Sequence, residues 1–526
     1  MPTLNSSYDV LVVGSGNAAL AAALSARQTG ATVAVFEAAP RSHFGGNSRY
    51  SSGIFRIWHD GLSSVLPLLD KSALEEARRC RMGMYTRDDY AADMARTSGG
   101  QCDKEQLAVL LDRCFDTVAW MKSLGVPWRL PLGKFLDHDK VLDASGESCM
   151  DLPPWDTVMA IGGGAGLMNS LRSAAEAVDI AIHYSAPVCD LLTQGDTVTG
   201  IIVRGRDETR HFAGQVILAC GGFEASPRLR RQFLGEGWDL TCLRGSKFNT
   251  GSMMERAVAA GAGVAGHFGG CHATPHDLGA PRTLDPDAGD TMSRYSFPYS
   301  ITVNLDGRRF MDEGEDHFSL TYAKAGATIA RQPRAAAWQV FDQKTTHLLE
   351  PRYASALSVV RDDTLAGLAV KMGVDAGIFA ETVRAFNAAT PAAAAENFNP
   401  LVLDGVSTGA ALTVPKSNWA LPVDKGPFVA YGVTCGITFT YGGLATDSSA
   451  RVLNQEGLPM PGLWAVGEIA GGFFAFNYAG GTGLTRGAVF GRIAGQAAAE
   501  RAKRLGKENS FPGFVSSAMR RFGYGH

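Results

Sequence analysis

The chain has 526 residues, with 49 Lys and Arg against 52 Asp and Glu and a formal net charge of −3. That length calls for two or more lobes, and 45% hydrophobic with 19% charged residues describes an ordinary globular protein with ample core. The near-neutral balance gives no reason to expect nucleic acid or an anionic membrane, and the nine scattered cysteines, with no CxxC or CxxCH, argue against a disulfide scaffold, iron–sulfur ligation and attached haem.

The opening MPTLNSSYDV lacks a basic start followed by an apolar core, so no secretion signal is read and a cytoplasmic protein is expected. Apolar stretches such as 216–219 have strand length, far short of the roughly twenty residues that cross a bilayer, so no transmembrane segment is expected. No metal site is read either.

The first strong signal is the run from Asp9 to Val13 into Gly14-Ser15-Gly16-Asn17-Ala18-Ala19, followed one helix-length later by Thr32-Val33-Ala34-Val35-Phe36-Glu37. This pattern is that of a β-α-β unit around a dinucleotide. Gly14 permits the tight turn, Gly16 admits a pyrophosphate close to the backbone, and Ala19 lets the helix pack on the strand. The helix N-terminus offers unpaired N–H groups to phosphate, and Glu37 closes the second strand where an acid accepts ribose hydroxyls.

Gly45-Gly46-Asn47-Ser48 then forms a turn able to approach a flat ring closely. Residues 85–124 carry apolar side chains at helical spacing through Leu107, Leu110, Leu111, Cys114 and Val118. A glycine run at 162–166 precedes a helix over 167–177, and strands are expected at 180–184, 187–192, 198–204 and 215–219. The last ends in Cys220-Gly221-Gly222-Phe223, read either as a turn packed on a cofactor or as a structural glycine turn.

Between 244 and 422 the character changes: His267, His272, His276, His317 and His347 gather, and Ala-rich helices are expected over 323–336 and 375–389. This segment reads as an inserted lobe covering a cofactor. Nucleotide-fold features then return, with strand and turn over 436–447, a buried strand at 463–466 and Gly480-Gly481-Thr482-Gly483 opening a helix over 484–501. A second glycine-rich helix start so far from the first suggests that both ends of the chain meet on one cofactor.

The stretches VVGSGNAALAAALSARQTGATVAVFEAAP, GGNS, ILACGGFE, VNLDGRRFMDEGED, GLWAVGEIAGGFF and NYAGGTGLTRGAVFGRIAG span nearly the whole length. Together they resemble the flavoproteins of the fumarate reductase and succinate dehydrogenase superfamily, especially its tricarballylate dehydrogenase-like and 3-ketosteroid dehydrogenase-like members. The resemblance implies an α/β protein: a Rossmann-type FAD-binding domain in two parts, residues 1–243 and 423–526, with an inserted α+β capping domain over 244–422. It implies FAD held by Gly14, Gly16, Ala19, Glu37, Gly46, Asn47, Ser48, Gly222 and Glu468, with Gly483 and Leu484 near the pyrimidine end. A helix N-terminus placed there stabilises the negative charge of reduced flavin. The histidine that links flavin covalently in some members is not evident among residues 45–53, so the FAD is expected to dissociate.

Members of this family oxidise or reduce a C–C bond beside a carbonyl or carboxylate, with hydride passing at flavin N5 and a side chain handling the neighbouring proton. In fumarate reductases that side chain is an Arg four residues beyond the Glu of an RFxNE-like stretch; in ketosteroid dehydrogenases a Tyr stands in a similar place. Here Arg309-Phe310-Met311-Asp312-Glu313 leads to His317, which fits an acid/base role near neutral pH, with Tyr322 as the alternative. Fumarate reductases carry a His before Thr-Met-Gly-Gly and a clamping Arg in Asn-Arg-Leu-Gly-Gly. This chain has Phe439 and, after Asn477, Tyr478 instead. Exchanging cations for aromatics argues against a small dicarboxylate.

Tyr478 resembles the ketone-polarising Tyr of the ketosteroid dehydrogenases, and His272, in His-Ala-Thr, resembles the family's substrate-contacting His-Pro-Thr. Asn477, Tyr441, Phe439, Phe474 and Arg294 are further candidates for the pocket. The expected function is thus an FAD-dependent dehydrogenase or reductase that introduces or reduces a C=C bond next to a carbonyl of a small molecule. The alternative is a tricarballylate-type or fumarate-reductase-like enzyme, which needs cationic clamps, with Arg294 and Arg486 as candidates. The electron acceptor is not legible: oxygen, a diffusible carrier, a quinone and another protein all remain open.

Overall fold

The computed structural model describes residues 6–132, 150–155 and 157–510; the first five residues, on which part of the leader reading rests, and the end of the expected final segment lie outside it. Four parallel strand pairings build the first sheet. Ser6–Val13 lies between Thr209–Leu218 and Val33–Phe36; Ala181–His183 extends one side and Pro459–Ala465 the other. Parallel strands are covered on both faces, which is why Val10, Leu11 and Val12 read as a continuous apolar run rather than an alternating one. Thr197–Arg204 and Val188–Gln194 continue antiparallel from Thr209–Leu218.

The two chain ends are joined by the helices Asn17–Gln28 and Thr482–Ser510. Ten consecutive residues of the first, Asn17 to Ala26, are buried, and the helices approach so closely that glycine is required on one side. A Cβ at Gly491 would stand 2.5 Å from Ala18 O, and one at Gly495 would stand 2.1 Å from Ala22 O. The alanine-rich first helix and the glycine-spaced last helix are therefore complementary surfaces of one contact.

A second sheet forms the covering lobe. Its central strand, Phe428–Thr440, pairs antiparallel with Cys271–Asp277, Ala336–Phe341 and Val359–Asp362, and parallel with Cys242–Leu243. Ile301–Asn304 adds to Ala336–Phe341. One face packs on the helices Leu365–Met372 and Ala376–Ala389 through Val303, Val340, Leu368, Phe379, Phe386 and Ala430.

Two features differ from the sequence reading. The sheet that covers the cofactor region begins at Cys242 and reaches Thr440 rather than ending at 422, because its longest strand follows the insertion. The helix expected over 323–336 is Tyr322–Ala330 only. Pro333 lacks the N–H a helix needs, Arg334 and Ala335 have φ of 58° and 52°, and Ala336–Phe341 is a wholly buried strand. No helix among the described residues is long and apolar enough to cross a membrane.

Candidate cofactor and substrate site

The strand Ser6–Val13 delivers the chain to Gly14. Its φ is 104° and a Cβ there would stand 2.4 Å from Ala219 O, so the turn leaves no room for a side chain. Gly16 caps the helix that follows, and Ser48 Oγ accepts from Asn17 N at 3.0 Å, tying the glycine turn at 45–48 to this helix start. Glu37 is buried; Ser15 Oγ donates to it at 2.6 Å and Ala39 N at 2.7 Å. Burial raises its pKa above the usual carboxylate value, with the hydrogen bonds opposing.

From this point a cavity of about 630 Å³ runs to the start of the helix Thr482–Ser510. Of the residues expected to hold FAD, Gly14, Gly16, Glu37, Gly46, Asn47, Ser48, Glu468, Gly483 and Leu484 line it. Ala19 instead lies fully buried in the first helix. Gly222 stands behind the wall: a Cβ there would meet Glu468 Oε1 and Thr440 Oγ1, each at 2.2 Å. A long cavity with a glycine turn and buried acid at one end and a helix N-terminus at the other fits an FAD molecule.

Glu468 is one half of a buried carboxyl pair. Asn47 Nδ2 donates to Glu224 Oε1 at 2.8 Å and to Glu468 Oε2 at 3.2 Å, Asn249 Nδ2 donates to Glu224 at 2.7 Å, and Thr440 N donates to Glu468 Oε1 at 2.9 Å. Burial lifts both carboxyls, and the neighbouring Glu224 lifts Glu468 further, so the pair holds a proton more tightly than ordinary carboxyls do. Glu224 escaped the sequence reading because it follows an ordinary glycine turn.

At the far end the cavity is walled by aromatic rings. His272 stacks on Phe439 (ring centroids 4.9 Å apart, 25° between planes) and meets Tyr322 and Tyr478 edge-on at 4.9 and 5.0 Å. Tyr441 and Phe474 complete the wall beside Phe439. Burial, reinforced by Arg244, pushes the His272 pKa well below its ordinary value, so the imidazole is neutral. Tyr478 Oη accepts from Gly483 N at 2.8 Å.

His317 is not brought to this cavity. It caps the short helical turn Phe318–Leu320, and its ring packs between Trp155 (4.1 Å) and Trp419 (5.7 Å). The turn presents Phe318 and Ser319 to the cavity instead, and the helix that follows presents Tyr322. Asn477 also stands outside the lining and holds the loop by donating to Leu320 O at 2.5 Å. Arg294 is wholly buried in the covering lobe, bound to Asp277 at 2.7 Å. Arg486 lines the cavity, but its guanidinium donates to Gly467 O, Ala470 O and Gln106 Oε1, and burial pushes its pKa down to about 10. Arg244, Asp290, Tyr295 and Ser319 also line the cavity and were missed. Arg244 and Asp290 are 46 residues apart and carry no local motif.

The model of the FAD binding domain family matches residues 9–484. A probable fumarate reductase of Shewanella frigidimarina is 28% identical, over 94% of this chain and 75% of its own length. The 4-oxocyclohexanecarboxylate 2-dehydrogenase of Sinomonas cyclohexanicum is 28% identical over 94% of each. The crystal structure of the 3-ketosteroid Δ1-dehydrogenase of Sterolibacterium denitrificans superposes with a TM-score of 0.68 at 22% identity, covering 94% of this chain and all of that one, a likeness of fold.

Proposed function

The chain belongs to the FAD-binding-domain family, and from that premise we propose that it is an FAD-dependent oxidoreductase that introduces or reduces a C=C bond next to the carbonyl of a cyclic, partly apolar molecule. The observation that carries this reading is the aromatic wall of His272, Phe439, Tyr441, Phe474 and Tyr478 at the end of the cavity where the helix Thr482–Ser510 starts. Such a wall suits a flat or cyclic substrate and offers nothing to a small dicarboxylate. The activity of the Sinomonas relative, which its name places on a cyclic ketone, supports the same class.

Bound FAD supplies the acceptor or donor of hydride. Tyr478 polarises the substrate oxygen through its phenol, where enolate charge develops. Tyr322 moves the proton at the adjacent carbon: it lines the cavity and stands edge-on to His272, whereas His317 faces two tryptophans. His272, held neutral, orients the substrate beside Phe439. The FAD is bound without a covalent link, since no histidine stands among residues 45–53, and we place the enzyme in the cytoplasm. Of the clamps read for the tricarballylate-type alternative, neither is available, because Arg294 is committed to Asp277 and Arg486 to backbone carbonyls.

Steady-state turnover of cyclic ketones against polycarboxylates, with an artificial electron acceptor, tests the proposal. Ketone oxidation with bleaching of the flavin absorbance is expected; turnover of tricarballylate with none of any ketone overturns it.

A further inference from the structure

Arg244 and Asp290 place a buried ion pair in the wall of the cavity, each side chain almost wholly shielded from solvent. The guanidinium is held along one edge. Its Nε donates to Asp290 Oδ1 at 3.0 Å and to Ser293 Oγ at 2.9 Å, one Nη also reaches Asp290, and the other donates to Thr438 Oγ1 at 2.9 Å. Among the described residues these bonds use three of the five N–H groups of the side chain and leave one on each terminal nitrogen. A buried guanidinium with two donors to spare, beside a cavity, is a fork set for a planar anion.

Its surroundings locate it at the substrate end. Thr438 directly precedes Phe439 of the aromatic wall, and the charge of Arg244 is felt by Tyr295, Tyr322 and His272. Arg486, another cation lining the cavity, is engaged by carbonyls. Asp290 does more than neutralise Arg244. It also pairs with Arg352, which pairs in turn with Glu350, so two cations and two acids form a rigid, balanced cluster. Such a cluster fixes the guanidinium before a ligand arrives and lowers the cost of binding.

We propose that Arg244, oriented by Asp290, Ser293 and Thr438, anchors a carboxylate on the substrate, so that the substrate class is a cyclic ketone bearing an acid group away from the reacting carbonyl. This rests on the ketone chemistry proposed above. Arg244 then sets specificity: the aromatic wall takes the ring, Tyr478 the ketone oxygen, and Arg244 the acid.

The test uses the FAD-loaded enzyme and its Arg244→Lys, Arg244→Met and Arg244→Met/Asp290→Asn variants, the last removing both charges so that no carboxylate is stranded. 4-Oxocyclohexanecarboxylate and the uncharged 4-methylcyclohexanone are compared as substrates, and cyclohexanecarboxylate is titrated as a dead-end ligand by perturbation of the flavin spectrum. The wild type is expected to prefer the acid in kcat/KM. Arg244→Met and the double variant are expected to raise KM for the acid tenfold to a hundredfold, as for loss of a charge-assisted pair, while kcat/KM for 4-methylcyclohexanone stays within about threefold. Arg244→Lys should recover part of the loss. Equal loss on both ketones in FAD-replete variants, or no preference in the wild type, overturns the anchor. If neither ketone turns over, the function proposed above fails, and the anchor is still decided: cyclohexanecarboxylate binding to the wild type but not to Arg244→Met upholds it, and equal binding or none sinks it.

Discussion

The phenol oxygen of Tyr478 accepts a hydrogen bond from the backbone N–H of Gly483 at 2.8 Å. The loop 478–481 thus folds the ring back over the start of the helix Thr482–Ser510, and Asn477 pins the loop to Leu320 O. The phenol is held beside the N–H groups of a helix N-terminus, the place where negative charge is best tolerated.

Tyr478→Phe keeps the ring contacts with His272, Phe439 and Phe474 and removes only the oxygen. We expect kcat on a ketone substrate to fall about 10²- to 10³-fold, the usual cost of losing an oxyanion-type donor, with FAD content and melting temperature little changed. Stopped-flow flavin reduction measures this; an unaltered rate removes Tyr478 from the chemistry.

The Glu224–Glu468 pair predicts a slope of stability with pH. Both carboxyls are raised above the usual 4.5, so the native protein keeps a proton that the unfolded chain releases above about pH 4.5. The contribution is complete below that pH and is lost as pH rises through the raised native values. Thermal unfolding followed as pH rises above 4.5 should show a steeper decline for the wild type than for Glu224→Gln, which needs no shared proton. Parallel curves would mean that no proton is held between the two carboxyls.

The cofactor half of the molecule was legible in sequence because its requirements are local. Gly14 needs a positive φ, Gly16 a bare helix start and Glu37 a strand end, and each leaves a mark within a few residues. Other contacts are assembled across distance: Arg244 meets Asp290 within the covering lobe, and Glu224 meets Glu468 beside Asn47, through tertiary packing that no local pattern encodes. His317 shows the limit from the other side. Its spacing from Glu313 matches a family motif, but the direction of its ring is set by Trp155 and Trp419, far away in the chain.

The contact between the chain ends should tolerate no added bulk at Gly495, where even a Cβ would stand 2.1 Å from Ala22 O. Gly495→Val must push the two helices apart, and a loss of at least about 1–3 kcal/mol is expected, together with FAD loss, since the same helix starts beside the cavity at Gly483. Gly506→Ala, on the same helix with open space around it, should instead stabilise by about 0.5–1 kcal/mol. Calorimetry of the two variants, with flavin content read by absorbance, separates close packing from general sensitivity of the helix.

His317 makes an acid-side prediction independent of catalysis. Burial between Trp155 and Trp419, with a smaller push from Arg96, lowers its pKa from 6.5 to about 4. The unfolded chain therefore binds a proton below about pH 6.5 that the native chain takes up only near pH 4. The stability contributed by the neutral ring is complete above 6.5 and is lost as pH falls through about 4. The difference corresponds to an energy on the order of 3 kcal/mol. His272 and His276, also lowered by burial, add to the same acid lability, so His317→Phe should remove part of the slope between pH 6.5 and about 4 and leave the rest. It should also leave kcat within a few-fold of wild type at neutral pH, because the ring does not face the cavity. Urea unfolding at half-unit pH steps and a parallel rate profile distinguish the outcomes: an unchanged acid slope contradicts the buried neutral imidazole, and a collapse of kcat with FAD retained would return His317 to the proton-transfer role that its spacing from Glu313 suggests.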